Sequence, residues 1–248
     1  MKRSSHSVGR TPGRTTRKEI SGFTLIEMLV SLLILATVTG AVFEQINAMQ
    51  KKANSEAVNV DLNQQSRDFL DQTVRDLHMA GYPGPSMYSN PLAHPSLVAA
   101  GLVKVSPTEI LLEGDVNNDG SVYSVDITYV ASDPNDLNCP CVRRSAQAKI
   151  DADSFSQPLN LFYTETQHVL PPGAGADQSG EDLFAYYDGN GNPVDLSTGS
   201  DISKEPGISN LAKIKTVKIN LSLLTNQRDL QTGGFTRTSM SASSRLNY

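Results

Sequence analysis

The chain has 248 residues, 21 Lys and Arg against 26 Asp and Glu, a formal charge of −5 and two cysteines. That length suits one domain with an anchor. The acid excess argues against nucleic acid as a direct partner, because phosphate binding needs a positive surface. Two cysteines with no nearby histidine cluster make a poor metal site.

The charge is unevenly spread. Lys2, Arg3, Arg10, Arg14, Arg17 and Lys18 stand against Glu19, so residues 1–22 carry +5 and the remainder −10. From Phe23 to Val42 or Phe43 the chain is apolar, with Glu27 as its one ionisable group. About 20 helical residues at ~1.5 Å each cover about 30 Å, the thickness of a bilayer's hydrocarbon core. Basic residues before the span and few after it predict a cytoplasmic N-terminus, with the bulk of the chain outside the inner membrane. A carboxylate inside such a run costs roughly 2.5–3.5 kcal/mol on insertion scales, so it asks for a functional reason.

The stretch Gly22-Phe23-Thr24-Leu25-Ile26-Glu27-Met28-Leu29-Val30 resembles the N-terminal signature of type IV pilins and type II secretion pseudopilins. In that family a basic leader ends in Gly and the mature chain opens Phe-Thr-Leu-(Ile/Val)-Glu. The resemblance implies cleavage between Gly22 and Phe23 by a prepilin peptidase, followed by N-methylation of Phe23. It also implies that Glu27, the fifth mature residue, pairs with the Phe23 amine of a neighbouring subunit. Opposite charges attract strongly in low dielectric and offset part of their desolvation. Read from the residues alone, the alternative is a single-span anchor with Glu27 at headgroup level. An ordinary secretory signal is cut after its apolar region; here the cut precedes that region and the anchor is kept.

Helical character continues beyond the span. Ile46, Met49, Ala53, Ala57, Val60, Leu70, Val74 and Leu77 recur in steps of three and four, which predicts one face of an amphipathic helix. Gly81-Tyr82-Pro83-Gly84-Pro85 ends it. The segment from Arg67 to Tyr82, closing on Ala80-Gly81-Tyr82, resembles PilW-like minor pilins, and J-type pseudopilins have a related helix end. The plain reading of Arg67, Asp71 and Arg75 is a solvated face of i,i+4 charges.

After residue 85 the apolar period becomes two. Leu97–Val105, Thr108–Glu113, Ser121–Ala131, Leu159–Leu170, Leu183–Tyr187 and Lys213–Leu224 are strand candidates. Their alternation predicts an antiparallel sheet with one face buried. Pro171–Gly180 and Ser197–Gly207 read as loops, and the Ser- and Thr-rich stretch from Gln231 to Tyr248 as a mobile tail. The expected fold is α+β and pilin-like, a long N-terminal helix packed on an antiparallel sheet domain. Its segments are a leader (1–22), an assembly span (23–43), an amphipathic continuation (44–81), a β-rich domain (82–230) and a flexible tail (231–248).

One loop carries metal-ligand spacing. Asp115-Val116-Asn117-Asn118-Asp119-Gly120, with Asp126 further on, matches D-x-N-x-D-G-x5-D. Ca²⁺ takes six to eight oxygens, so Asp115, Asn117, Asp119, the Ser121 carbonyl and Asp126 form a candidate shell around Ca²⁺, the one candidate cofactor. The strand pattern that follows favours a hairpin turn instead. Asp188-Gly189-Asn190-Gly191-Asn192 has similar donors, but Pro193 stands where such a loop wants Gly. Cys139 and Cys141 flank Pro140, as either a local disulfide or two free thiols. His6, His78, His94 and His168 form no ligand spacing, and no catalytic motif is present.

The sequence therefore predicts a structural protein, not an enzyme: a minor pilin acting in pilus assembly or initiation. Its partners would be the prepilin peptidase, other pilins, minor pilins or pseudopilins, and inner-membrane lipid before assembly. The alternatives are a type II secretion pseudopilin, a membrane-tethered calcium-dependent binding module and a tethered enzyme.

Overall fold

A computed structural model describes residues 22–134, 137, 139–171, 181–194, 196, 200–203, 206–228 and 234–247. The basic stretch expected as a leader, up to residue 21, and most of the loop expected at 171–180 lie outside the described residues. The chain divides into two compact units, Met1–Gln50 and Lys51–Tyr248. Helix α1 (Leu25–Met79) begins in the first and ends in the second.

In the first unit every helical residue is exposed. Apolar side chains run around the whole helix there and leave no polar face. The part of α1 in the second unit is different. It buries Leu62, Ser66, Phe69, Leu70, Thr73, Asp76 and Leu77, spaced three and four apart along one face. The Ser66 and Thr73 hydroxyls donate to the Leu62 and Phe69 carbonyls four residues back, at 2.7 and 2.9 Å. Those two polar side chains are thus satisfied within the helix. The expected stripe needs correcting at its start: Ile46, Met49, Ala53, Ala57 and Val60 are exposed, and the buried face opens at Leu62 and Ser66.

The helix stops against a strand. Gly81 takes φ +81°, and its N–H donates to the Glu113 carbonyl at 2.9 Å. Ala80 bridges Gly114, where a Cβ would run into the Met79 carbonyl. Only glycine allows this approach.

Strands β1 (Gly101–Val105), β2 (Glu109–Gly114), β3 (Tyr123–Val130), β4 (Cys141–Ala148), β5 (Tyr163–Gln167) and β7 (Ser200–Asp201) form a six-stranded antiparallel sheet in the order β5-β4-β3-β2-β1-β7. Strands β6 (Phe184–Tyr187), β8 (Thr216–Arg228) and β9 (Phe235–Arg245) form a three-stranded antiparallel sheet in the order β6-β8-β9. Helix α2 (Gly207–Lys213) precedes β8. Alternate residues such as Ile110, Leu112, Val125, Ile127 and Val142 of the larger sheet join Val217, Ile219, Leu221 and Leu223 of the smaller one. Together with Leu62, Phe69, Leu70 and Leu77 of α1 they make a single core.

Every predicted strand has an observed counterpart. Four elements depart from expectation. Strand β4 lies in a stretch without clean alternation, β7 lies inside the loop expected at Ser197–Gly207, α2 begins at the end of that loop, and β9 occupies the expected mobile tail. Strand β9 forms because Met240 and Ala242 turn toward the core while Ser239, Ser241 and Ser243 face out, an alternation hidden by small side chains.

Candidate functional site

The motif stretch begins just ahead of α1. Gly22, Phe23 and Thr24 are exposed and precede the first helical turn. Thr24 then caps the helix: its Oγ1 accepts the Glu27 N–H at 3.3 Å, and its carbonyl accepts the Met28 N–H at 3.2 Å. Glu27 sits in the first turn, where a carboxylate complements the positive end of the helix dipole. Inside the span, Ser31 and Thr37 donate their hydroxyls to the Glu27 and Ile34 carbonyls, both at 2.8 Å. These two hydroxyls are thereby satisfied without water, as an apolar surrounding requires.

Phe23 is 77% exposed, Leu25 80% and Leu33 66%. The most apolar 18-residue window of α1 has mean hydropathy 2.2 and none of it is buried within the chain. A bare apolar surface of that extent needs lipid or other polypeptides to cover it.

In the second unit the structure tests the calcium-loop geometry. The Asp115 carboxylate accepts the N–H groups of Asp119 and Gly120 at 3.0 and 2.9 Å. Asp119 accepts the Ser121 N–H and the Tyr123 hydroxyl, both at 2.8 Å, and these bonds hold its carboxyl below its ordinary value. Asn118 and Gly120 have positive φ, +53° and +83°, as a tight β2–β3 turn requires. Asp126 is in β3, opposite Leu111 and Ser145. Among the described residues no group of three His, Cys, Asp or Glu gathers to hold a metal. Of the residues expected to surround Ca²⁺ (Asp115, Asn117, Asp119, Ser121 and Asp126), Asp115 and Asp119 come together in the turn, and Asp126 does not join them as a third carboxylate. The short side chains of Asp115 and Asp119 close the turn on its own backbone. Asp188 does the same in its own turn, accepting the N–H groups of Asn190 and Asn192 at 2.8 Å each.

Cys139 and Cys141 form a disulfide with Cα atoms 4.3 Å apart, at the start of β4. His78 and His94 are exposed and His168 is half-buried.

Sequence reasoning missed two buried ion pairs. Asp76 of α1 is wholly buried. It accepts Arg144 Nε of β4 at 2.8 Å and Gln72 Nε2 at 2.9 Å. Burial raises its carboxyl above the ordinary value although the Arg144 guanidinium opposes the shift. Burial also raises Glu165 of β5, with Arg144 again opposing. Gln65, Asp68, Gln72, Arg75, Arg144 and Glu165 line a polar groove here. The second pair is Glu113 and Lys149, 2.6 Å apart. Lys149 Nζ also donates to the Val98 carbonyl at 3.0 Å, and the Ala100 N–H donates to Glu113 at 2.9 Å. The spacing of Asp76 among Thr73 and Leu77 was the available signal: a charge standing on the buried face.

Comparison with known proteins finds one family model, the prokaryotic N-terminal methylation motif, matching residues 17–43. No curated protein and no solved structure matches the chain. The motif and the exposed apolar stretch of α1 coincide, and the described strands that follow α1 form the expected antiparallel domain. The chain thus carries the N-terminal methylation motif of a type IV pilin-like prepilin at the head of a pilin-like α+β architecture.

Proposed function

We propose that this protein is a structural subunit of a type IV pilus, a minor pilin of the PilW-like kind that acts in pilus assembly or initiation. A prepilin peptidase cuts between Gly22 and Phe23, and the new Phe23 amine is methylated. Before assembly α1 anchors the protein in the inner membrane, with the leader cytoplasmic and the globular unit periplasmic. There the Cys139–Cys141 disulfide suits an oxidising compartment. In the fibre the anchor exchanges lipid for the helices of other pilins or minor pilins, and Glu27 meets the Phe23 amine of a neighbour. The reading gives the chain no reaction of its own.

The observation that carries this reading is the matched motif standing on a helical stretch, residues 25–43, whose apolar side chains are all exposed. Mass spectrometry of the N-terminus, from membranes and from sheared fibres, tests it. A peptide beginning at methylated Phe23 in the fibre fraction is expected. A chain that keeps residues 1–22 and stays in the membrane would reduce the motif to an anchor. Recovery only with secretion-system pseudopilins would move the protein to the other fibre machine.

A further inference from the structure

Strand β9 is the outer strand of the three-stranded sheet, and among the described residues no strand lies along its far side. The register tells which backbone groups face outward. The Leu246 N–H donates to the Lys215 carbonyl, so with period two the N–H and C=O groups of residues 238, 240, 242 and 244 point to β8. Those of Arg237, Ser239, Ser241, Ser243 and Arg245 point away from it. All five residues are exposed. Long edge strands are normally blunted by a proline, a central charge or a bulge. Between Thr238 and Ser244 β9 has no proline and no charge, and the register shift in its pairing with β8 falls outside this stretch, between Leu224 and Arg228.

We propose that β9 accepts an antiparallel strand from a different polypeptide, an extended segment with carboxylates flanking an alternating apolar and small-polar centre. Two observations select that occupant. Met240 and Ala242 are half-buried at the margin of the core, so alternate apolar residues of an added strand would continue that core. Arg237 and Arg245 stand on the opposite face at the two ends, where carboxylates of the added strand would lie across from them. A second copy is disfavoured by the same residues. Twofold pairing centred on Ser241 sets Arg237 against the other copy's Arg245 at both ends, and like charges directly opposite are destabilising. Backbone pairing supplies the affinity and the side-chain alternation the selectivity. The inference rests on the sheet register and holds whether or not α1 assembles into a fibre.

The test uses the full chain in detergent micelles and a fluorescent nine-residue probe, Glu-Val-Thr-Val-Ser-Val-Thr-Val-Glu with blocked ends, read by anisotropy. Binding is expected. It should weaken about tenfold or more in Ser241→Pro, which removes an outward N–H and leaves the β8 ladder whole. Replacing both probe glutamates by arginine should weaken it as well. Should Ser241→Pro not fold, N-methylating the probe at its Thr and Ser residues removes the donors that face β9, and methylating the valines spares them. Equal binding by the two methylated probes, or no binding of the parent probe, overturns the proposal. Self-association of the full chain that Ser241→Pro abolishes overturns it in favour of a second copy.

Discussion

The two halves of α1 are one helix under opposite rules. From Leu25 to Gln50 no residue is buried, whereas the second half buries seven side chains against the sheets. Helix propensity does not separate them, since both are helical throughout. What differs is who supplies the apolar surroundings. The second half is stabilised by its own chain, so its fate is tied to folding. The first half can be covered only by other molecules, lipid or protein, so its fate is tied to location and assembly.

The sharpest way to break that contrast is Glu27→Ala. The side chain is exposed and contributes nothing to the globular core, so the melting temperature of the globular unit should not move. On the proposed role of Glu27, recovery in sheared fibres should fall by an order of magnitude or more, because the proposed contact with the Phe23 amine of a neighbour would lose its charge partner. Normal incorporation, measured by immunoblot of fibre and membrane fractions, would detach Glu27 from assembly. In the other half the largest effect belongs to Arg144→Leu. It strands the fully buried Asp76 carboxylate, at a cost of about 3–5 kcal/mol. Replacing Asp76 by Leu as well should recover most of the loss, as chemical denaturation can show. Next, Leu77→Ala should cost about 2–5 kcal/mol, since Leu77 has no exposure in the core. The same change at Leu33, which is exposed, should leave stability unaltered. Equal losses at the two positions would erase the distinction between the halves.

How legible each region was follows the same line. The span could be read in full because its signal is local: residue type, spacing and charge within Gly22–Val30. Strands β3 and β8 showed themselves through Val125, Ile127 and Tyr129, and through Val217, Ile219, Leu221 and Leu223. Strand β4 did not, because it puts Arg144 on the core face, beside Asp76 of α1. That arginine reads as a surface residue until its distant partner is known. Strand β9 was hidden by serines, whose weak strand preference is overridden by pairing along the whole of β8. The acidic turn after β2 could not be read from spacing alone. Its spacing is shared by metal loops and by turns that bond their own backbone, and only the placement of Asp126 on the strand separates the two.

Asp126 also yields a test by pH. Its Oδ1 is buried without a partner among the described residues, and burial, with the nearby Glu109 charge, pushes its carboxyl from an ordinary 3.8 up to about 7, against the pull of Lys104. The fold therefore holds a proton that the unfolded chain releases between those two values. Stability from this site is highest at acid pH and declines as pH rises toward the folded value, by at most about 1.4 kcal/mol per unit. Asp76 and Glu165 are raised as well, so they add slope of the same sign and persist when Asp126 is changed. Asp126→Asn should melt above the wild type at pH 8 and draw level with it near pH 4. If the gap were the same at both pH values, the unpaired carboxylate would not be its source. The difference would then lie in how an amide packs beside Ser145, the cross-strand neighbour of Asp126.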